Sequence, residues 1–123
     1  MTQENSMQNN SPHLNIGTLV QLKCECLDNP EGTVGIVYQV YERGAAPHDH
    51  ADRYGIAVIF PNGQHDGFSP YERDTFLAVI GLATDSAVRN YQFKHITQLR
   101  LDYGNGLFTK AFGEGLLLKV GAP

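Results

Sequence analysis

Residues 54–68, YGIAVIFPNGQHDGF, carry the strongest hairpin signal in this chain of 123 residues. In Tyr54–Phe60 every second residue is large and apolar, which is typical of a strand with one face in the core. Pro61–Asn62–Gly63 follows, where proline suits the first central position of a tight turn and the next two residues tolerate the remaining backbone angles. We therefore predict a strand, a tight turn and a short return strand, Gln64–Phe68.

The residues after this hairpin predict the start of a helix. Ser69 can cap the amides of the next turn, Pro70 suits the first helical position, and Glu72 completes a capping box. We expect one helical turn, because the apolar run Phe76–Leu82 soon resumes as a strand.

Two strands are also predicted before the hairpin. Val20–Cys26 alternates apolar and polar residues, and Thr33–Arg43 is rich in Val, Ile and Tyr. Turn-forming residues separate them at 28–32, and the pattern breaks over Gly44–Arg53, which we predict to be a loop.

The last third of the chain also alternates. Residues 91–102 have a period of two, Gly104–Asn105–Gly106 is typical of a hairpin turn, and Leu107–Phe112 can return along it. This pattern predicts an extra C-terminal β-hairpin, with Leu116–Val120 as a closing strand.

Short strands joined by tight turns, with one helical turn before the last core strand, are typical of a small closed barrel. Four segments carry a family resemblance: Gly17–Val20, Gly32–Val37, Tyr54–Phe60 and Asp66–Ser69. Through them, residues 17–82 resemble the SH3-like barrels of small uncharacterised bacterial proteins. The resemblance implies a mostly β fold, namely a small SH3-like barrel that binds rather than catalyses.

The chain shows no internal repeat and no low-complexity linker. We therefore predict a single domain over residues 13–123, with an extension from about residue 84. Residues 1–12, rich in Asn, Gln and Ser, are predicted to be a disordered tail.

The net charge of −4 is unevenly distributed. Residues 1–85 hold four Lys or Arg and eleven Asp or Glu, giving −7, whereas residues 86–123 hold five and two, giving +3. The acidic balance disfavours nonspecific nucleic-acid binding. The charge also suits an acidic inhibitor of a basic partner.

Cys24 and Cys26 are the only cysteines. On an extended strand their Cα atoms lie near the upper limit for a disulfide, about 7 Å, so we expect two thiols. The polar start of the chain lacks the apolar core of a signal peptide, and no apolar run approaches the roughly 20 residues of a bilayer span. These features predict a cytoplasmic protein without a membrane partner.

One group of side chains has the composition of a metal site. His48, His50 and Asp52 alternate along the predicted loop, and His65 lies close by if the hairpin folds back. Imidazole and carboxylate ligands suit zinc or another divalent ion, and a bound metal would allow a hydrolytic role. The alternative is a solvated polar loop, and no known zinc spacing is matched.

A second cluster mixes basic and aromatic residues between positions 89 and 100: Arg89, Tyr91, Phe93, Lys94 and Arg100. Such a segment can stack bases and hold phosphates of a single-stranded nucleic acid. It is equally compatible with a strand whose aromatic side chains point inward, or with an acidic protein partner.

The sequence shows no nucleophile with an adjacent base and no phosphate-binding glycine loop. The leading hypothesis is a non-enzymatic module that needs no cofactor and binds a protein partner or a second copy of itself. We expect Tyr41 and Tyr71, beside the main loops, and the basic C-terminal residues to contribute to that surface.

Overall fold

The computed structural model describes residues 14–42 and 54–121. Its main feature is a five-stranded antiparallel sheet in the order β4-β3-β2-β1-β5. The strands are β1 Thr18–Leu22, β2 Val34–Glu42, β3 Tyr54–Ile59, β4 His65–Phe68 and β5 Leu77–Leu82, and the helices are α1 Pro70–Phe76, α2 Ser86–Arg89, α3 Ile96–Gly104 and α4 Thr109–Gly121. The sheet confirms the mainly β prediction. The predicted tail, residues 1–12, lies outside the described residues.

The predicted hairpin at residues 54–68 is confirmed. Ile59 pairs with His65 and Ile56 with Phe68, so β3 and β4 are in register across the turn. Gly63 has a φ of 86°, which glycine adopts without a steric penalty. Its amide donates to the Phe60 carbonyl at 2.9 Å, which closes the turn.

The predicted start of α1 is also confirmed. Ser69 Oγ accepts from the Glu72 amide at 3.2 Å, and the Ser69 amide donates to Glu72 Oε1 at 2.8 Å. Pro70 occupies the first turn. The helix has seven residues, rather than the single turn expected, and ends where Leu77 becomes extended and begins β5.

Both faces of the sheet are buried, and each has its own core. Leu19, Ile36 and Ile59 face a layer formed by α2, α3 and α4. The opposite face packs into a second cluster of buried residues: Val20, Leu22, Val37, Ile56, Val58, Phe60, Phe68 and Leu77. Burial on both faces explains why β2 and β3 are almost continuously apolar.

The sheet is open, so the predicted closed barrel is not confirmed. Strands β4 and β5 form its two edges, and within the described residues they pair only with β3 and β1 respectively. Strand β4 has four residues, and α1 packs against both edge strands. Because β4 is short and α1 packs against both edges, few backbone groups are left to pair β4 with β5 and close the sheet into a barrel.

The prediction of a C-terminal β-hairpin is wrong. Residues 96–104 form α3 and residues 109–121 form α4. His95 Nδ1 accepts from the Gln98 amide at 3.2 Å and caps α3, and Gly104–Asn105–Gly106 connects two helices instead of two strands. The buried positions Phe108, Ala111 and Gly115 are three and four residues apart, which is the helical period.

The first strand is shorter than predicted, because β1 ends at Leu22. Leu27 and Asp28 both have positive φ, and Cys26 and Asn29 exchange backbone hydrogen bonds of 2.9 and 2.8 Å around them. This is the geometry of a tight turn with two left-handed residues. It places Cys24 and Cys26 beyond the strand as free, half-buried thiols.

Within the described residues, no helix has the length and apolar character needed to cross a bilayer.

Candidate functional site

The predicted metal ligands are divided between two parts of the chain. His48, His50 and Asp52 lie in residues 43–53, outside the described residues. His65 begins β4, and its ring lies edge-on to Tyr38 with 6.2 Å between centroids. Over residues 14–42 and 54–121, no three His, Cys, Asp or Glu residues form a group that could hold a metal ion. The zinc hypothesis stays a prediction about the loop.

The two loop tyrosines have different surroundings. Tyr41 in β2 lies across β3 and β4, where glycines make room for its ring. A Cβ at Gly55 would come within 2.7 Å of that ring, and one at Gly67 within 2.8 Å of its hydroxyl. Tyr71 on α1 is exposed. Of the two, Tyr71 presents more surface to a partner.

The basic and aromatic segment turns its rings inward. Tyr91 is buried, and its hydroxyl donates to Asp102 Oδ2 at 2.6 Å. Phe93 packs on Tyr38 with 5.2 Å between ring centroids. The cations of the segment are exposed: Arg89, Lys94 and Arg100. The aromatic rings are therefore used for packing, and the charged groups reach solvent without them.

Both described carboxylates of the basic C-terminal third are held by neutral donors. Asp102 also accepts from Gln98 Nε2 at 3.0 Å. Glu114 accepts from the Thr84 amide at 3.1 Å and from the Thr84 hydroxyl. These hydrogen bonds lower the pKa of Glu114, and the charge of Lys110 lowers it further. The hydrogen bonds leave both carboxylates charged, and this part of the sequence is positive because its cations outnumber its carboxylates by five to two.

Tyr38 gives a pH-dependent test of the core beneath the helical layer. Burial, with smaller contributions from Tyr41 and Asp66, raises the pKa of Tyr38 from 10.0 to about 12. A phenol whose pKa is raised by folding contributes stability that is complete below its unfolded pKa and lost as pH rises through the folded value. We expect a loss of about 2–3 kcal/mol over this alkaline range, measured by urea unfolding at successive pH values.

Tyr91 adds to this alkaline loss, because burial and Asp102 raise its pKa as well. Tyr38→Phe removes the ionisable hydroxyl and should reduce the slope of stability against pH. An unaltered slope in Tyr38→Phe would contradict the burial of an ionisable phenol.

An apolar hollow lies beside α4, between the β1–β2 loop and the β3–β4 turn. It has a volume of about 570 Å³, and we call it the α4 groove. Its apolar walls are Pro30, Val34, Pro61, Phe112 and Leu116. A second hollow of about 380 Å³ shares Pro61 and Phe112 and extends toward Tyr103, whose hydroxyl donates to the Pro61 carbonyl.

Small residues set α4 against the sheet. Ala111 is fully buried, and a Cβ at Gly115 would overlap Val34 Cγ1 on β2. Leu118 rests on Gly81 of β5, where an added Cβ would be 2.5 Å from Leu118 Cδ1. Together with the Thr84–Glu114 hydrogen bonds, these contacts fix which side of α4 faces solvent.

After Gly115, α4 carries three consecutive leucines, which we call the leucine ridge: Leu116 lines the α4 groove, Leu117 points to solvent, and Leu118 rests partly on β5. Leu116, Leu117 and Leu118 are 53%, 73% and 44% exposed. A single exposed leucine is ordinary, whereas adjoining exposed apolar side chains beside a groove are less common on a protein surface. Burying one fully exposed leucine contributes about 1.5–3 kcal/mol, and the exposed parts of the ridge together equal fewer than two such leucines, so covering it is worth roughly 3–5 kcal/mol.

Sequence reasoning missed this site because residues 107–112 were expected to form a strand. The signal that could have found it is the helical spacing of Phe108, Ala111 and Gly115, followed by three leucines. The groove itself joins Pro30, Pro61 and Phe112, which are far apart in the sequence.

No family model, curated protein or solved structure matches this chain. The chemistry of the site follows from its own side chains. Of the described residues lining the α4 groove, Glu31 is the one with an ionisable side chain. The rest of the lining combines apolar side chains with the polar side chains of Asn29, Thr33 and Asn62, and mostly apolar walls with a few polar groups suit an apolar ligand.

Proposed function

We propose that this chain is a non-enzymatic interaction module that binds an apolar protein segment in the α4 groove. The observation that carries the proposal is the leucine ridge bordering that groove. Interfaces are centred on well-packed apolar anchors surrounded by polar residues, and the ridge and groove provide such a centre. Glu31, Asn62 and Thr109 provide polar groups at the margins.

We further propose that the strands and α1 form an SH3-like meander. Two features support it: β1 to β4 follow one another as neighbours while β5 returns beside β1, and α1 lies between β4 and β5. The helical layer would then be an addition that covers one outer face and builds the groove. The free thiols of Cys24 and Cys26 support a reducing, cytoplasmic habitat.

The other two hypotheses have less support. Zinc binding rests on His48, His50 and Asp52 together with His65, and the ring of His65 lies against Tyr38. Single-stranded nucleic-acid binding has the exposed cations of residues 89–100, but the rings of that segment, Tyr91 and Phe93, pack inward instead of being available to stack on bases. The α4 groove is the better basis because its apolar walls and the adjoining exposed leucines lie together on one surface.

A peptide library displayed on phage tests the proposal without a known partner. We expect selection on the full chain to enrich apolar peptides, and Leu116→Glu to weaken their binding at least about ten-fold by placing a charge beside the groove. Leu101→Glu is the matched control, because Leu101 is 56% exposed on α3, away from the groove. Binding is measured by titration calorimetry with the enriched peptides.

Chemical shifts locate the binding site. Enriched peptides should perturb the amides of Gly32, Asn62 and Phe112. Peptides that bind Leu116→Glu as tightly as the parent chain, or shifts confined to other surfaces, would remove the α4 groove from consideration.

A further inference from the structure

We infer that the outer face of α4, beside the α4 groove, pairs with α4 of a second copy of this chain, packed antiparallel about a two-fold axis. The inference rests on the proposed function and names the partner. A two-fold interface uses the same patch on both copies, so that patch must hold both a protrusion and a depression. On α4 the protrusion is Leu117, which is 73% exposed, and the depression is the bare backbone at Gly113.

The outer face of α4 has the form that helix pairing requires. Leu117 follows the sheet-facing Gly115 by two residues, which is about 200° around the helix, so it points away from the sheet. Gly113 lies one turn before Leu117 on the same outer face, is exposed, and has nothing within 4 Å of an added Cβ. A glycine there allows another backbone to approach closely, and we place Leu117 of each copy over Gly113 of the other.

The charges on α4 favour the antiparallel arrangement. Lys110 is seven residues before Leu117, which puts it on the same outer face at the N-terminal end of the helix. With Leu117 over Gly113, Lys110 of each copy lies beside the C-terminal end of the partner helix. The negative end of the helix dipole stabilises a cation at that position. A parallel pair would instead bring the two lysines together.

Sedimentation equilibrium over a wide concentration range tests the inference on the full chain. We expect the parent chain to dimerise reversibly and Leu117→Glu to raise the dimer dissociation constant at least about 30-fold, by burying two like charges in one interface. Leu101→Glu should dimerise like the parent. Circular dichroism of each variant confirms that the fold is kept.

Disulfide trapping tests the register in chains that also carry Cys24→Ser and Cys26→Ser. A mixture of Gly113→Cys and Leu117→Cys chains should cross-link under mild oxidation, and Leu101→Cys chains should not. Cross-linking of Leu101→Cys equal to that of the mixture would overturn the arrangement.

The outcomes separate this inference from the proposed function. If the parent chain is monomeric at every concentration yet binds enriched peptides in the groove, the inferred dimer is ruled out and the proposed function stands. A dimer unaffected by Leu117→Glu overturns the inference as well, since it must use another surface. Loss of both dimer and peptide binding in Leu116→Glu supports one shared site.

Discussion

Replacing Phe108 with alanine should lower the free energy of unfolding by about 3–5 kcal/mol. Phe108 is 1% exposed and lies with Leu99 and Ala111 in the core between the sheet and the helical layer. Its ring meets Tyr91 edge-on, with 5.3 Å between centroids. Truncation removes both this contact and the buried surface, and it leaves a cavity that the surrounding residues fill only in part. Urea unfolding followed by circular dichroism measures the loss.

Leu101→Ala is the control for Phe108→Ala. It removes a large apolar side chain from the same layer at an exposed position, and should cost less than about 1 kcal/mol. If Phe108→Ala cost no more than Leu101→Ala, the helices would not share a cooperative core with the sheet. A large difference would show that the C-terminal third is needed to cover one face of the sheet.

The predictions that held depend on neighbouring residues alone. The turn at Pro61–Asn62–Gly63 and the capping box of Ser69 and Glu72 are formed by side chains and backbone groups within four positions. Their energies are local, so the sequence pattern is sufficient to predict them.

The C-terminal prediction failed because apolar alternation is ambiguous over short stretches. Tyr91 and Phe93 have strand-forming side chains, yet both pack beneath α3 because the sheet already offers a buried face. Gly113 and Gly115 weaken the intrinsic helical preference of residues 109–121 by roughly 1 kcal/mol each. Packing against β2 and β5 overcomes this weakness, and such long-range contacts are not visible in a local pattern.

The candidate site was unpredictable for the same reason. Pro30, Pro61 and Phe112 converge only after β1, β3 and α4 have taken their places, and Leu116 borders the groove only if residues 109–121 are helical. The site residues predicted from the sequence were polar or aromatic. Those that form the groove are ordinary apolar residues whose significance comes from their exposure.

Replacing Gly115 with valine should destabilise the chain by about 3 kcal/mol, at the upper end of the cost of overfilling a packed core. A Cβ at this position already overlaps Val34 Cγ1, and two further methyl groups would push α4 away from β2. Val34 is itself 1% exposed and branched at Cβ, so it has little freedom to move aside. Urea unfolding at a concentration where the chain is monomeric measures the effect.

Two matched variants isolate the cause. Gly113→Val, two residues earlier in the same helix, meets nothing within 4 Å and should change stability by no more than about 0.5 kcal/mol. Val34→Ala removes the methyl groups that would clash with the new valine in Gly115→Val. The loss of stability in the double variant should therefore be at least about 1 kcal/mol smaller than the sum of the two single losses. Additive losses would mean that α4 does not rest on β2 at Gly115. The α4 groove would then lose the helix that forms one of its walls.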